Sequence, residues 1–255
     1  MTPVVPRVGC VPYLNARPLL EGLPFPVVKN VPSQLHELYL SGELDVALLS
    51  SIDVISQAQA EVVDGVSISS RGDVHSVVLA YEGELKNLTK VALDPASHTS
   101  NALLRIVLEE FHGATPQYVQ ITDSNIDFVP ALMIGDRAII NRKRTSNPSI
   151  RFLDLGGEWF RNTSLPFVFA LWCFRKEFTN KKLISQALRE AKARGVSLIP
   201  SIAAQEEDPR FAEEYLSDHI RYDLRDEEKR GLRAFGEALG RLNIIKNDIG
   251  KITYI

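Results

Sequence analysis

"RVGCVPYLNARPLLEGL" (residues 7–23) decides the fold, because an apolar strand-like run passes directly into a helix-like run. "RVGCV" has the character of a buried strand, and Pro18 stands near the first turn of the run that follows. Between the two lies a short polar turn with one amide, Asn15, and one guanidinium, Arg17. Open α/β sheets bind ligands at turns of this kind, so the turn is a candidate ligand site.

The alternation of strand and helix patterns continues along the chain. "LDVALLS" (44–50) is almost entirely apolar, as a buried parallel strand is, and Ser51 is placed to cap the helix after it. "SHTSNALLRIVLEEFHG" (97–113) has the 3.6-residue apolar period of an amphipathic helix. "LPFVFALWCFR" (165–175) predicts a long strand, and the segments after it predict amphipathic helices.

The grouping of these units predicts two α/β lobes. Repeated βα units favour a mostly parallel sheet, and the polar stretch "EGELKNLT" (82–89) separates two groups of them. We therefore expect one lobe from residues 1–84 and 171–255 and a second from residues 85–170, with a ligand cleft between them. A single doubly wound sheet is the competing architecture.

Composition narrows the class of protein. The chain is 45% hydrophobic and 24% charged with net charge −3, which is typical of a globular protein and offers no basic surface for nucleic acid. The basic run "NRKRTS" (141–146) is expected to be a solvated loop. No membrane-spanning segment or signal peptide is evident, so a cytoplasmic location is expected. Cys10 and Cys173 lie in strand-like runs and are expected in the core.

Three polar turns precede predicted helices: "YLNARP", "LLSSID" and "DPASHTSN". Taken singly, Ser51, Thr99 and Ser100 fit helix N-caps, but their joint placement favours a site. Metal-binding spacings such as H-x-x-x-H are missing from the sequence, as are nucleotide-binding glycine motifs, so neither a metal nor a cofactor is predicted. His75 and His98 are the histidines nearest the expected cleft, and the sequence assigns them no role.

Six motifs, in this order, carry a family resemblance: "YLNARPL" (13–19), "GELDVALLSSID" (42–53), "HSVVL" (75–79), "VALDPASHTSNALL" (91–104), "ALMIGDRAI" (131–139) and "LPFVFALW" (165–172). The set resembles the chorismate dehydratases of the futalosine route to menaquinone. The resemblance implies an α/β fold of the two-lobed periplasmic-binding-protein-like type II class, with mostly parallel sheets and an interlobe cleft. It also implies removal of water from chorismate to give 3-[(1-carboxyvinyl)oxy]benzoate.

The resemblance implies a site as well. Asn15 matches the family's leading catalytic candidate; an amide cannot act as a base at neutral pH but can donate a hydrogen bond to a leaving hydroxyl. The expected substrate-binding residues are Arg17, Ser50, Ser51, Ser76, Ser97, Thr99, Ser100, Asp136 and Phe167. The base stays open between Asp94, Asp136 and a carboxylate of the substrate. The expected partner is chorismate alone, bound by a monomer or homodimer.

Two alternatives remain at this point. A non-catalytic protein of the same fold could bind a small aromatic or dicarboxylate ligand, since fold alone does not separate binder from enzyme. The sister enzyme that makes dihydroxynaphthoate relies on a histidine, which "YLNARP" does not supply.

Overall fold

The computed structural model describes residues 5–120, 130–245 and 249–255. Within them the chain forms two β-sheets flanked by helices. The six-stranded sheet has the spatial order β11 (Lys251–Tyr254), β4 (Gln59–Ser70), β10 (Phe167–Phe174), β3 (Val46–Ser50), β1 (Val8–Cys10) and β2 (Val27–Lys29). The five-stranded sheet has the order β7 (Gln117–Gln120), β6 (Lys90–Leu93), β8 (Ala131–Ile134), β5 (Val77–Tyr81) and β9 (Arg151–Asp154).

Helices connect and cover these strands. The α-helices are α1 (Pro32–Ser41), α2 (Ser51–Ile55), α3 (His98–Ile106), α4 (Gly135–Arg144), α5 (Leu155–Thr163), α6 (Lys181–Ser197), α7 (Ile199–Ala203), α8 (Pro209–Glu214) and α9 (Asp226–Arg241). A 3₁₀ segment, Leu14–Leu19, follows β1, and a second one covers Leu85–Asn87. α3 and α8 each continue into a π-helical turn, Val107–Phe111 and Tyr215–His219 respectively.

Both sheets are mixed in strand direction. β1 runs parallel to β2 and β3, and β6 runs parallel to β7 and β8, as expected of βα units. β10 is antiparallel to β3 and β4, and β5 is antiparallel to β8 and β9. The antiparallel strands are those through which the chain enters a sheet after crossing from the other one. The expected parallel character therefore applies to the βα units but not to the crossing strands.

The strand membership also moves the expected boundaries between the lobes. The chain leaves the six-stranded sheet after Ser70 and enters the five-stranded sheet at Val77, before the expected boundary at residue 84. It returns at Phe167, before residue 171. The polar stretch that suggested the boundary follows β5 and contains a short 3₁₀ segment next to the five-stranded sheet. We therefore propose that the chain crosses between the two lobes within residues 71–76 and again within residues 164–166.

Local sequence explains several element ends. β3 is buried at all five positions, in agreement with its apolar composition. α1 ends at Gly42, whose φ of 83° is the left-handed conformation that glycine adopts without steric cost. Cys10 and Cys173 are buried free thiols in the core. None of the helices within the described ranges is long and apolar enough to cross a membrane.

The basic run at residues 141–146 is not the solvated loop that was expected. Its first four residues form the last turn of α4, which ends at Arg144. Cations stabilise the carboxyl end of a helix because they offset its partial negative charge. Lys143 also pairs with Asp208 at 2.7 Å and lies 3.7 Å from the centre of the Phe211 ring. The run is therefore a helix end that contacts α8.

Candidate functional site

A cleft lies where segments of the two sheets meet. Both sheets and the amino end of α3 contribute to its wall. The lining residues are Val11, Tyr13, Asn15, Pro32, Leu48, Ser50, Ile68, Val74, Ser76, Val77, Ser97, Thr99, Ser100, Ile134, Gly135, Phe169 and Ala170.

Asn15 lies in the 3₁₀ segment directly after β1. Its side-chain oxygen is buried, and no described group forms a hydrogen bond with it. Buried polar atoms almost always have a partner, so an unpartnered amide oxygen beside a cleft points to a ligand. The Asp136 carboxylate accepts the backbone N–H of neighbouring Leu14 at 3.2 Å, which fixes the segment from the opposite sheet.

The hydroxyl groups at the start of α3 are arranged to donate. Ser97 caps the helix, accepting the Ser100 N–H at 3.2 Å, and the Ser97 hydroxyl donates to the Ser100 oxygen at 2.9 Å. The Thr99 oxygen accepts the Ile52 N–H at 3.0 Å. The hydroxyl hydrogens of Thr99 and Ser100 are thus left to donate to an anion, next to the positive end of a helix.

Ser50 and Ser76 stand on other walls of the cleft. The Ser50 hydroxyl donates to Asp53 Oδ2 at 2.7 Å, which leaves its oxygen free to accept a hydrogen bond from a ligand. The Ser76 carbonyl accepts the Gly135 N–H at 2.8 Å, so the starts of β5 and α4 are fixed to each other. Ser50, rather than the predicted Ser51, is the N-cap residue of α2.

Tyr215 is a residue of the site that the sequence did not indicate. Its hydroxyl is buried beside Ser76 and Asn15, and no described group meets it with hydrogen-bonding geometry. Burial raises its pKa above the ordinary value, so the phenol is protonated at neutral pH. It lies in the π-helical turn after α8, some two hundred residues from Asn15 along the chain. The sequence around it, "FAEEYLSDHI" (211–220), mixes charged and apolar residues as an ordinary amphipathic helix does, and it gave no signal of function.

No residue in the described lining is ionised at neutral pH. The one titratable side chain among the described lining residues is Tyr13, and burial raises the pKa of its phenol to about 12. Asp94 lies behind the wall, paired with Arg137 at 2.5 Å, and burial raises its pKa. A ligand in this cleft therefore meets neutral hydrogen-bond donors and apolar surface.

Four predicted binding residues lie outside the cleft lining. Arg17 pairs with Glu206 and also donates to Gln205 at 2.6 Å, so its guanidinium is already engaged by other side chains. The Ser51 hydroxyl donates to the Val168 carbonyl at 2.5 Å. The Asp136 carboxylate accepts a hydrogen bond from the backbone N–H of Leu14, and burial raises the pKa of Asp136.

Phe167 is the fourth of these residues. It is 1% exposed and packs edge-to-face against Trp159 and Phe235 in the core. Phe169 lines the cleft instead. The pairing of β10 with β4 shifts register between Val168 and Ala170, and a strand pattern alone does not locate such an irregularity.

His98 lies next to a buried carboxylate and a second histidine. His98 Nδ1 lies 2.9 Å from Asp53 Oδ1, and this hydrogen bond raises the pKa of His98. His36 Nδ1 lies 3.4 Å from the same carboxylate oxygen. The spacing argument against a metal site does not cover such a cluster, since its members come from separate helices.

Comparison with known proteins assigns a family. A family model described as menaquinone biosynthesis matches residues 6–241.

The chain belongs to the menaquinone-biosynthesis family.

Sequence relatives of this chain include two named enzymes. A chorismate dehydratase of Thermus thermophilus is 36% identical over 260 residues, covering 91% of this chain and 94% of the relative. A chorismate dehydratase of Campylobacter jejuni is 26% identical over 249 residues, covering 92% and 98%. The alignments extend over nearly the whole of each relative and over 91% and 92% of this chain.

Solved structures of other proteins resemble the fold of this member of the menaquinone-biosynthesis family. A protein of Archaeoglobus fulgidus has a TM-score of 0.75 at 16% identity, covering 96% of this chain and 100% of its own. The alkanesulfonate-binding protein of Xanthomonas axonopodis pv. citri has a TM-score of 0.67 at 12% identity, covering 100% of both chains. A Candida albicans protein described as having the generic periplasmic binding protein fold has a TM-score of 0.61 at 14% identity, covering 96% and 97%. The chain has the expected periplasmic-binding-protein-like fold.

Proposed function

We propose that this protein is a chorismate dehydratase of menaquinone biosynthesis, a carbon–oxygen lyase that converts chorismate to 3-[(1-carboxyvinyl)oxy]benzoate. The observation that carries the proposal is the buried, unpartnered amide oxygen of Asn15 in a cleft lined by hydroxyl groups. The two chorismate dehydratases that align with nearly the whole chain support the same activity. As an enzyme of a biosynthetic route, the protein is proposed to act in the cytoplasm.

The cleft suits the chemical groups of chorismate. One carboxylate fits the amino end of α3, where the Thr99 and Ser100 hydroxyl hydrogens are free to donate. The ring fits the apolar surface of Phe169 and Ile134. The hydroxyl of the substrate can donate to Ser50, whose own hydrogen is committed to Asp53.

The reaction removes the hydrogen at C3 and the hydroxyl at C4 of the ring. The electron pair of the C3–H bond completes the aromatic ring, the C4–O bond breaks, and the proton and hydroxide together form water. We propose that the Asn15 amide N–H donates to the departing hydroxyl, where negative charge develops. A donor held in place by the protein lowers the barrier without reorganising during the step.

The proton at C3 needs a base, and the described cleft lining contains no carboxylate, histidine or lysine. Asp94 is occupied by Arg137, and Asp136 by the backbone of Leu14. We therefore propose that a carboxylate of chorismate accepts the proton. Holding a substrate group next to its reacting atom has the effect of a very high local concentration, so a weak base is sufficient.

Incubation of the purified protein with chorismate tests the activity. We expect mass spectrometry to show a product lighter than chorismate by one water, with an aromatic absorbance that grows with time. EDTA in the assay should leave the conversion unchanged, because the proposed chemistry uses only protein and substrate groups. Chorismate that binds, as measured by calorimetry, but stays unconverted would contradict the enzyme and favour a binding protein.

A further inference from the structure

Three potential metal ligands converge at one edge of the cleft. His36 lies in α1, Asp53 in α2, and His98 is the first residue of α3. His98 Nδ1 lies 2.9 Å and His36 Nδ1 3.4 Å from Asp53 Oδ1. One ligand atom from each residue lies within 4.8 Å of the others. Sixty-two positions separate the two histidines in sequence, so only the fold brings them together.

The two separations from Asp53 Oδ1 are close to those of a tetrahedral metal site. With metal–ligand bonds of about 2.0–2.2 Å, neighbouring ligand atoms in a tetrahedral Zn²⁺ site lie about 3.3 Å apart. Two imidazole nitrogens and one carboxylate oxygen are a common ligand set for Zn²⁺. We propose that His36, Asp53 and His98 bind a divalent transition metal ion of the Zn²⁺ class, which would replace the proton that His98 and the carboxylate now share.

The surroundings of the cluster support this assignment. The Asp53 side chain is 7% exposed, and the hydroxyl of Ser50 donates to its second oxygen, which holds the carboxylate in orientation. Partners of this kind are typical of the second layer around protein-bound metals. The His98 side chain is 46% exposed, so an ion can reach the cluster from solvent and keep water as a fourth ligand.

The position of the cluster predicts what the ion does. α1 and α2 follow strands of the six-stranded sheet, whereas α3 follows β6 of the five-stranded sheet. The two sides already meet through the Ser33 N–H, which donates to the Ala96 carbonyl at 3.2 Å. A bound ion would add a stronger link across the cleft edge. Its role is therefore to hold the two parts of the molecule together, apart from the proposed dehydration.

Calorimetric titration of untagged, metal-free protein with ZnCl₂ tests the proposal. We expect a single saturable site and a rise in melting temperature with added Zn²⁺, because a ligand that binds only the folded state stabilises it. His36→Gln and His98→Gln should each lose this binding and the rise. His112→Gln is the matched control, since His112 also pairs with a carboxylate, Glu158 at 2.7 Å, but belongs to no three-residue cluster in the described chain.

Co²⁺ provides a second measurement that requires no variant. Co²⁺ in a tetrahedral site of nitrogen and oxygen ligands absorbs visible light more strongly than the hydrated ion, and ZnCl₂ should displace it stoichiometrically. No saturable Zn²⁺ binding by the wild-type protein, or equal binding by wild type and both cluster variants, would overturn the proposal. Loss of binding in His112→Gln alone would overturn it as well, because the site would then lie elsewhere.

Discussion

The ring of Tyr13 occupies the space into which a side chain at Gly135 would project. A Cβ at Gly135 would lie 2.8 Å from two carbons of that ring, closer than real Cβ contacts. Gly135 has a φ of 62°, a left-handed conformation, and opens α4. Since Tyr13 precedes Asn15 by two residues, this contact sets the position of the proposed catalytic turn relative to the five-stranded sheet.

Substituting Gly135 therefore tests that contact. Gly135→Ala should lower the free energy of unfolding by about 1–2 kcal/mol for the left-handed backbone, and by about 1–3 kcal/mol more for displacement of Tyr13. Gly113→Ala is the matched control, because Gly113 has a φ of 63° and no described atom within 4 Å of its Cβ position. Urea unfolding measures both variants. Equal costs would mean that Tyr13 moves aside freely, against the expected fixed contact.

Tyr215→Phe removes a buried hydroxyl that has no described hydrogen-bond partner. The loss of an unsatisfied buried group should leave stability unchanged or raise it by about 1 kcal/mol. Because the hydroxyl lies beside Asn15, we expect its loss to lower kcat by up to about tenfold, the equivalent of one hydrogen bond, while KM changes little. Steady-state kinetics and thermal melting in parallel measure both effects. Wild-type kcat in a stable variant would show that the phenol takes no part in the site.

Ser51→Ala should affect stability rather than turnover. The Ser51 hydroxyl donates to the Val168 carbonyl, and both residues are buried. Removing one partner of a buried hydrogen bond typically costs about 1–3 kcal/mol. Ser51 is absent from the cleft lining, so kcat/KM for chorismate should stay within about twofold of wild type. A folded variant with strongly reduced turnover would show that Ser51 takes part in substrate binding or catalysis.

His75 predicts a pH dependence of stability. Burial, together with the charges of His219 and Arg142, lowers its pKa to about 4, while Asp73 and Glu214 act in the opposite direction. The Arg142 guanidinium donates to Nδ1 at 2.8 Å, which requires a neutral imidazole. An unfolded histidine has a pKa of about 6.5. Protons therefore bind the unfolded state first, and stability is lost as pH falls from about 6.5 to about 4.

Comparison with His75→Asn isolates this contribution. Asparagine tolerates the positive φ of 61° at this position and keeps the backbone N–H that donates to Asp154 at 2.7 Å. Unfolding free energies of both proteins at pH 7.5 and pH 5 give the comparison. We expect wild type to lose more stability than the variant over this interval. Parallel losses would show that His75 does not titrate in the folded protein as described.

The sequence predicted the features that depend on local pattern. Apolar runs located β3 and β10, and the strand-to-helix turns brought Asn15 and Thr99 to one cleft. These predictions are correct because burial and turn geometry depend on only a few neighbouring residues. The resemblance of six ordered motifs supplied the family, which the family model confirms.

Features that depend on tertiary contacts could not be predicted in this way. Phe169 lines the cleft in place of Phe167, beside a register shift in β10, and the partners of Arg17 are the distant Gln205 and Glu206. Tyr215 reaches the site from a helix end whose sequence pattern is that of an ordinary amphipathic helix. In each case the decisive neighbour lies far away in the chain, where no spacing rule applies.

Turnover of chorismate by Asn15→Asp is the most direct test of the central claim, that the Asn15 amide donates to the departing hydroxyl. The two side chains are close in size, so the melting temperature should stay near that of wild type. The substitution replaces a donor with an anion beside a dianionic substrate, and we predict a fall in kcat of about 10²- to 10³-fold. Wild-type turnover at an unchanged melting temperature would show that Asn15 is a turn residue only, and the mechanism proposed for this cleft would be wrong.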